Sequence, residues 1–107
     1  MNKKKIRSIF RNEVFKRDNY TCKGCNRKFA AIDLDAHHII DRNEMPNGGY
    51  VKENGISLCR ACHLKAEKYH ITNGKEWEED FHPNDLFDKI NSSKELAIQK
   101  SETLNGN

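Results

Sequence analysis

Asp35-Ala36-His37-His38-Ile39-Ile40, then Asn54, then Cys59-x-x-Cys62-His63 form the part of this 107-residue chain richest in groups that do chemistry. Adjacent residues of a strand point to opposite faces, so His37 and His38 can serve one a metal ion and the other a water molecule. Metal-assisted hydrolysis requires that division of labour.

The cysteines make a second constellation. Cys22/Cys25 and Cys59/Cys62 are two C-x-x-C pairs separated by a globular excursion. Together they supply the four thiolates and the tetrahedral geometry that Zn²⁺ prefers. The competing readings are free buried thiols or a redox C-x-x-C, and two pairs without a thioredoxin-like βαβ pattern favour zinc. Four protein ligands close the site to water and substrate, so this zinc is structural and any chemistry falls to other residues.

Size and composition bear on both constellations. A chain of 12.5 kDa with 36% hydrophobic and 33% charged residues has little apolar surface to bury, and a structural metal would offset that shortage. Disulfides are the alternative, but they usually accompany a secretory signal. Met1 to Tyr20 contains Lys3, Lys4, Lys5, Arg7, Arg11, Lys16 and Arg17 and no continuous apolar run, so the chain is expected in a reducing cytoplasm, with no membrane partner. Charge is unevenly distributed. Residues 1–28 carry ten Lys/Arg against Glu13 and Asp18, a balance of +8, whereas residues 29–107 carry nine against fourteen, or −5. A basic amino-terminal third suits nucleic-acid phosphates, although a lysine run alone also serves as a solubilising face.

The elements that must position these groups follow from periodicity. Ile6, Ile9, Phe10 and Val14 predict an amphipathic helix over 6–17 that feeds the first cysteine knuckle, where Gly24 relieves the backbone between the thiolates. Leu34 to Asp41 reads as a strand, Arg42 to Gly49 as a loop, Ile56 to Leu58 as a short return strand, and Arg60 to His70 as a helix stopped near Thr72-Asn73-Gly74. His63, Glu67 and His70 fall on one face of that helix. A second short helix follows Pro83 with Leu86, Phe87 and Ile90 inward, and Trp77 and Phe81 are expected to pack on the domain. This predicts one domain over 1–90 with a basic amino-terminal helix, and a loose tail over 91–107 with at most a frayed helix near Leu96 to Ile98.

Over residues 11–70 the cysteine pairs and the His37-His38, Asn54, His63 series resemble an HNH nuclease of the ββα-metal type with a four-cysteine zinc site. The resemblance implies an α+β fold: a ββα-metal (His-Me finger) nuclease with a four-cysteine zinc ribbon and flanking helices. It implies His38 as general base, with His37 and His63 as ligands of a catalytic divalent ion. Asn54 would pin the hairpin loop and hold the His38 ring by hydrogen bonding, and Glu67, one turn beyond His63, would be a third ligand. Beside Lys65 and Lys68, Glu67 also has the ordinary reading of a solvated helix residue. His70 and His82 read as surface or packing residues. His37 stands where the family more often has Asp, which moves the expected ion from Mg²⁺ towards Mn²⁺, Ni²⁺, Co²⁺ or Zn²⁺. DNA is the implied partner, cut to 5′ phosphate and 3′ hydroxyl, with the helix of the ββα unit near the minor groove. Specificity would then be low, or come from a homodimer or a partner such as phage packaging machinery. Two rivals remain: a non-catalytic zinc-ribbon module that binds nucleic acid, and a scaffolding zinc domain.

Overall fold

In the computed structural model, which describes residues 2–104, helix α1 spans Lys3–Arg17. It begins earlier than the apolar periodicity indicates because Asn2 caps it, its side chain accepting from the Lys5 amide at 2.8 Å. Phe10, Val14 and Phe15 are its buried residues. Asn19 and Tyr20, both at φ 55°, then reverse the chain into the first cysteine knuckle. That knuckle is a small hairpin, bridged between Thr21 and Lys28 and tightened by Cys22 N donating to Arg27 O at 2.8 Å.

Strands β1 (Leu34–His38) and β2 (Gly55–Cys59) pair antiparallel, with Leu34 opposite Cys59, His37 opposite Ile56 and His38 opposite Gly55. Strand β1 ends three residues before the expected Asp41. The cause is Asn54, whose side chain takes both the amide and the carbonyl of Ile40 and so removes them from any further ladder. Short 3₁₀ turns occupy much of the connection from Arg42 to Asn54. Helix α2 (Arg60–Ile71) starts directly on Cys59 and completes a ββα unit, so the fold is α+β.

The core joins Phe10, Val14 and Phe15 of α1 to Leu34, Ile56 and Leu58 of the sheet, and Ala66, Phe81, Leu86 and Phe87 extend it. Helix α3 spans Pro83–Lys89, capped by His82 in a reciprocal box with Asp85. A polar clasp fixes α1 to β2. Asp18, 7% exposed, accepts from the Ser57 amide at 2.9 Å and is gripped by both arms of the Arg17 guanidinium, which also donates to Gly55 O at 2.7 Å.

Two expectations need correction. Gly24 is not among the positive-φ residues, whereas Asn26 is at φ 62°; a Cβ on Gly24 would lie 2.8 Å from Cys62 Sγ, so that glycine makes room for a thiol rather than for a turn. Trp77 and Phe81 pack on the domain as expected, Trp77 against the rings of Tyr69 and His82 while 47% exposed and Phe81 buried. The supposed loose tail is largely helix α4 (Lys94–Glu102), capped by Ser93, with Ala97 and Ser101 fully buried one turn apart. Small residues at that spacing let the helix lie close on the 46–54 segment, where Asn47 donates to Ser101 O and Ser92 donates to Glu53 O. Residues 105–107 of the expected tail lie outside the described residues. Among the described residues no helix is long and apolar enough to cross a membrane.

Candidate metal centres and active site

The two C-x-x-C segments converge as their spacing predicts. Cys22, Cys25, Cys59 and Cys62 offer sulfur atoms that all lie within 4.8 Å of one another, with only Cys25 exposed. Cys25 N points at Cys22 Sγ at 3.5 Å, an amide aimed at a thiolate. Burial would raise Cys22, but the amides of Cys59, Cys25 and Gly24 outweigh it and bring the thiol down to about 7. Cys25 and Cys62 are pushed up, by desolvation first and then by the neighbouring sulfurs. One thiolate thus discourages the next, which is the electrostatics of a site that a cation would complete. The donor set fits a four-thiolate metal ion.

The second constellation sits where β1 crosses α2. Alternation along β1 puts Asp35 and His37 on the side of α2, and Ala36 and His38 on the other. His37 is 3% exposed, and its Nδ1 lies 3.3 Å from Glu67 Oε2. The same oxygen is 3.4 Å from His63 Nε2, and the His37 and His63 rings meet edge to face at 5.0 Å. His63 Nδ1 lies 3.0 Å from Asp35 Oδ2, whose other oxygen accepts from Arg60. The carboxylate fixes Nδ1–H as donor, which leaves the Nε2 lone pair facing a carboxylate oxygen. Two lone pairs at 3.4 Å repel unless a proton or a cation stands between them. The His37 hydrogen bond, opposed by burial, draws Glu67 down to about 2.

His70 joins this group, contrary to its reading as a surface or packing histidine. His37, Glu67 and His70 each offer one ligand atom within 4.8 Å of the other two. His70 Nε2 donates to the His38 carbonyl at 3.1 Å and leaves its other nitrogen as an acceptor. The signal was its place on the 63/67/70 face of α2. Asp35 was also missed as a partner, and its two-residue offset from His37 was the available clue. His82 stays apart, in its capping role.

His38 lines the same cavity of about 250 Å³ as His37, His63, Glu67 and His70, but its ring is held from the opposite side. Phe10 stacks on it at 4.5 Å, and Tyr50 abuts it edge-on at 4.8 Å. Burial, then the charges of His37 and Arg42, lowers its pKa to about 4, so the imidazole is neutral near pH 7. The Nε2 atoms of His37 and His38 are buried and have no hydrogen-bond partner among the described residues. Asn54, fully buried, spends its amide on Ile40 and Gly49, so it pins the loop, while aromatic contacts hold the His38 ring.

The family model of the HNH endonuclease matches residues 22–68. Residues 22–68 are thus similar to an HNH domain. The match runs from Cys22 through Lys68, so it takes in the four cysteines, His37, His38, Asn54, His63 and Glu67 and stops short of His70. Members of this family are generally nucleases, which gives the domain a nuclease-type, DNA-directed role at the coarse level. No curated protein and no solved structure matches the chain.

Proposed function

We propose that this HNH protein is a metal-dependent DNA endonuclease in which His38 activates the attacking water. The observation that carries the reading is the divergence of two adjacent histidines into one cavity: His37 against the acceptors of α2, and His38 with a neutral ring and an unpartnered Nε2. His38 takes the water proton as the new bond to phosphorus forms and the bond to the 3′ oxygen breaks; the departing oxygen takes a proton from solvent, leaving a 5′ phosphate and a 3′ hydroxyl. Phe10 and Tyr50 fix the ring plane for that transfer, and Asn54 keeps the loop that follows β1 in register.

His37, His63 and Glu67 would hold the divalent ion, with His70 as a further imidazole beside His37 and Glu67, and the ion would supply charge neutralisation at the phosphate and the departing oxygen. Asp35 behind His63 is the carboxylate that orients a ligating imidazole. Two imidazoles and one carboxylate suit Mn²⁺, Ni²⁺, Co²⁺ or Zn²⁺ better than Mg²⁺. Cys22, Cys25, Cys59 and Cys62 would hold a structural Zn²⁺. The direct test incubates purified zinc-loaded protein with supercoiled plasmid across these five divalent ions. Relaxed or linear product that EDTA abolishes is expected; intact plasmid with every ion, together with undiminished DNA binding, would favour the non-catalytic zinc-ribbon module instead.

A further inference from the structure

Tyr50, whose ring abuts His38, also lines a second cavity of about 440 Å³ between α1 and the 42–50 segment. Its charged lining is entirely cationic: Lys3 and Arg7 from the first turns of α1 and Arg42 from the loop, with Asn47 and Tyr50 beside them. Arg42 Nη1 donates to the Tyr50 hydroxyl at 3.2 Å, and the Arg7 guanidinium faces the same oxygen. Burial of the phenol is outweighed by those two charges, which pull its pKa below the ordinary tyrosine value. Like charges drawn together from two separate segments cost free energy unless an anion joins them. Arg42 also lines the cavity of His37, His38 and Glu67, so the two cavities share a wall, and Asp41 lines only the histidine side.

Resting on the nuclease reading above, we propose that this cleft binds a backbone phosphate of DNA adjacent to the one being cut. Arg7 and Arg42 clamp its oxygens, Lys3 adds charge at the rim, and the Tyr50 hydroxyl sets the two guanidiniums. A planar, forked donor suits phosphate, and a phosphodiester leaving the histidine cavity past Arg42 enters the cleft directly. The ring of Tyr50 thus has the phosphate clamp at its hydroxyl and His38 at its edge.

The test measures equilibrium binding of a labelled duplex of about 20 base pairs to zinc-loaded protein without added catalytic ion, over a range of salt concentrations. Each phosphate contact contributes about 0.9 to the slope of log K against log salt. Arg7→Gln and Arg42→Gln should each lower the slope by about that amount and weaken binding several-fold, and Tyr50→Phe should weaken it less. Lys4→Gln and Lys5→Gln, on the same helix but outside the cleft, should change it distinctly less. Equal losses from Lys4, Lys5, Arg7 and Arg42 would mean diffuse attraction to α1 and would overturn the cleft. So would an unchanged slope in the two arginine variants. Displacement of the duplex by millimolar inorganic phosphate at constant ionic strength would assign the cleft to free phosphate and overturn the DNA assignment. Because binding is read without cleavage, an inactive protein with the predicted slopes would refute the nuclease reading and leave the clamp standing.

Discussion

The cysteine cluster and the histidine cluster are both built on the β1–β2–α2 unit, yet one is a closed knot and the other an open mouth. Three of the four cysteines are buried in the hydrophobic core, and the amides of Cys59, Cys25 and Gly24 bond to Cys22. In the histidine cluster only His37 is buried; His63 and Glu67 expose about a third of their side chains at 30% and 36%. Burial on all sides suits a cation that holds the chain together, whereas a half-open set of acceptors leaves room for a phosphate and a water. The same element therefore contributes adjacent residues, Cys62 and His63, one to each cluster.

The comparison breaks most violently at the closed end. Cys22→Ser or Cys59→Ser should lose bound zinc and the cooperative thermal transition, because metal binding contributes on the order of 10 kcal/mol in small zinc domains. Elemental analysis with calorimetry checks this, and a well-folded, reduced protein free of zinc would contradict it. A smaller effect is expected at Gly55, opposite His38. A Cβ there would lie 2.5 Å from Val14 Cγ2 and 2.7 Å from the Phe10 ring. Gly55→Ala should cost about 1–3 kcal/mol in stability by overpacking and lower kcat by moving Phe10 off His38, with zinc content unchanged. Chemical denaturation and single-turnover cleavage measure the two parts.

The smallest effect sharpens the open end. Asp35→Ala should weaken divalent-ion affinity roughly 10–100-fold, because His63 loses the carboxylate that orients it, while the fold and the cysteine-bound zinc persist. Isothermal titration with Mn²⁺ measures it, and unchanged affinity would remove Asp35 from the metal site.

Local pattern and ligand spacing made much of this legible from sequence. Residues 34–38, 60–71 and the cysteine pairs follow from periodicity and from zinc geometry. Less legible was whatever depends on tertiary approach. Asn54 shortens β1 by capturing Ile40 across the loop, and no local propensity encodes that capture. The α4 segment reads as polar, and only its docking on the 46–54 segment shows why Ala97 and Ser101 are small. His70 lay on the correct helix face but became part of the site only through the crossing of β1 over α2. Phe10 and Tyr50 lie 28 residues before and 12 after His38 in sequence, and nothing short of the fold brings both to its ring.

The central claim is that one strand sends His37 to the metal and His38 to the water. It is tested most directly by single-turnover cleavage of supercoiled plasmid by His37→Ala and His38→Ala over a wide range of divalent-ion concentration. His37→Ala should lose activity at low ion concentration and recover part of it as the ion is raised, because mass action refills a weakened site. His38→Ala should stay depressed by roughly 10²-fold or more at every concentration, with ion and DNA affinity near wild type, since added metal does not replace a proton acceptor. Full activity of His38→Ala at saturating ion and DNA, or the same ion dependence in both variants, would contradict the division of labour.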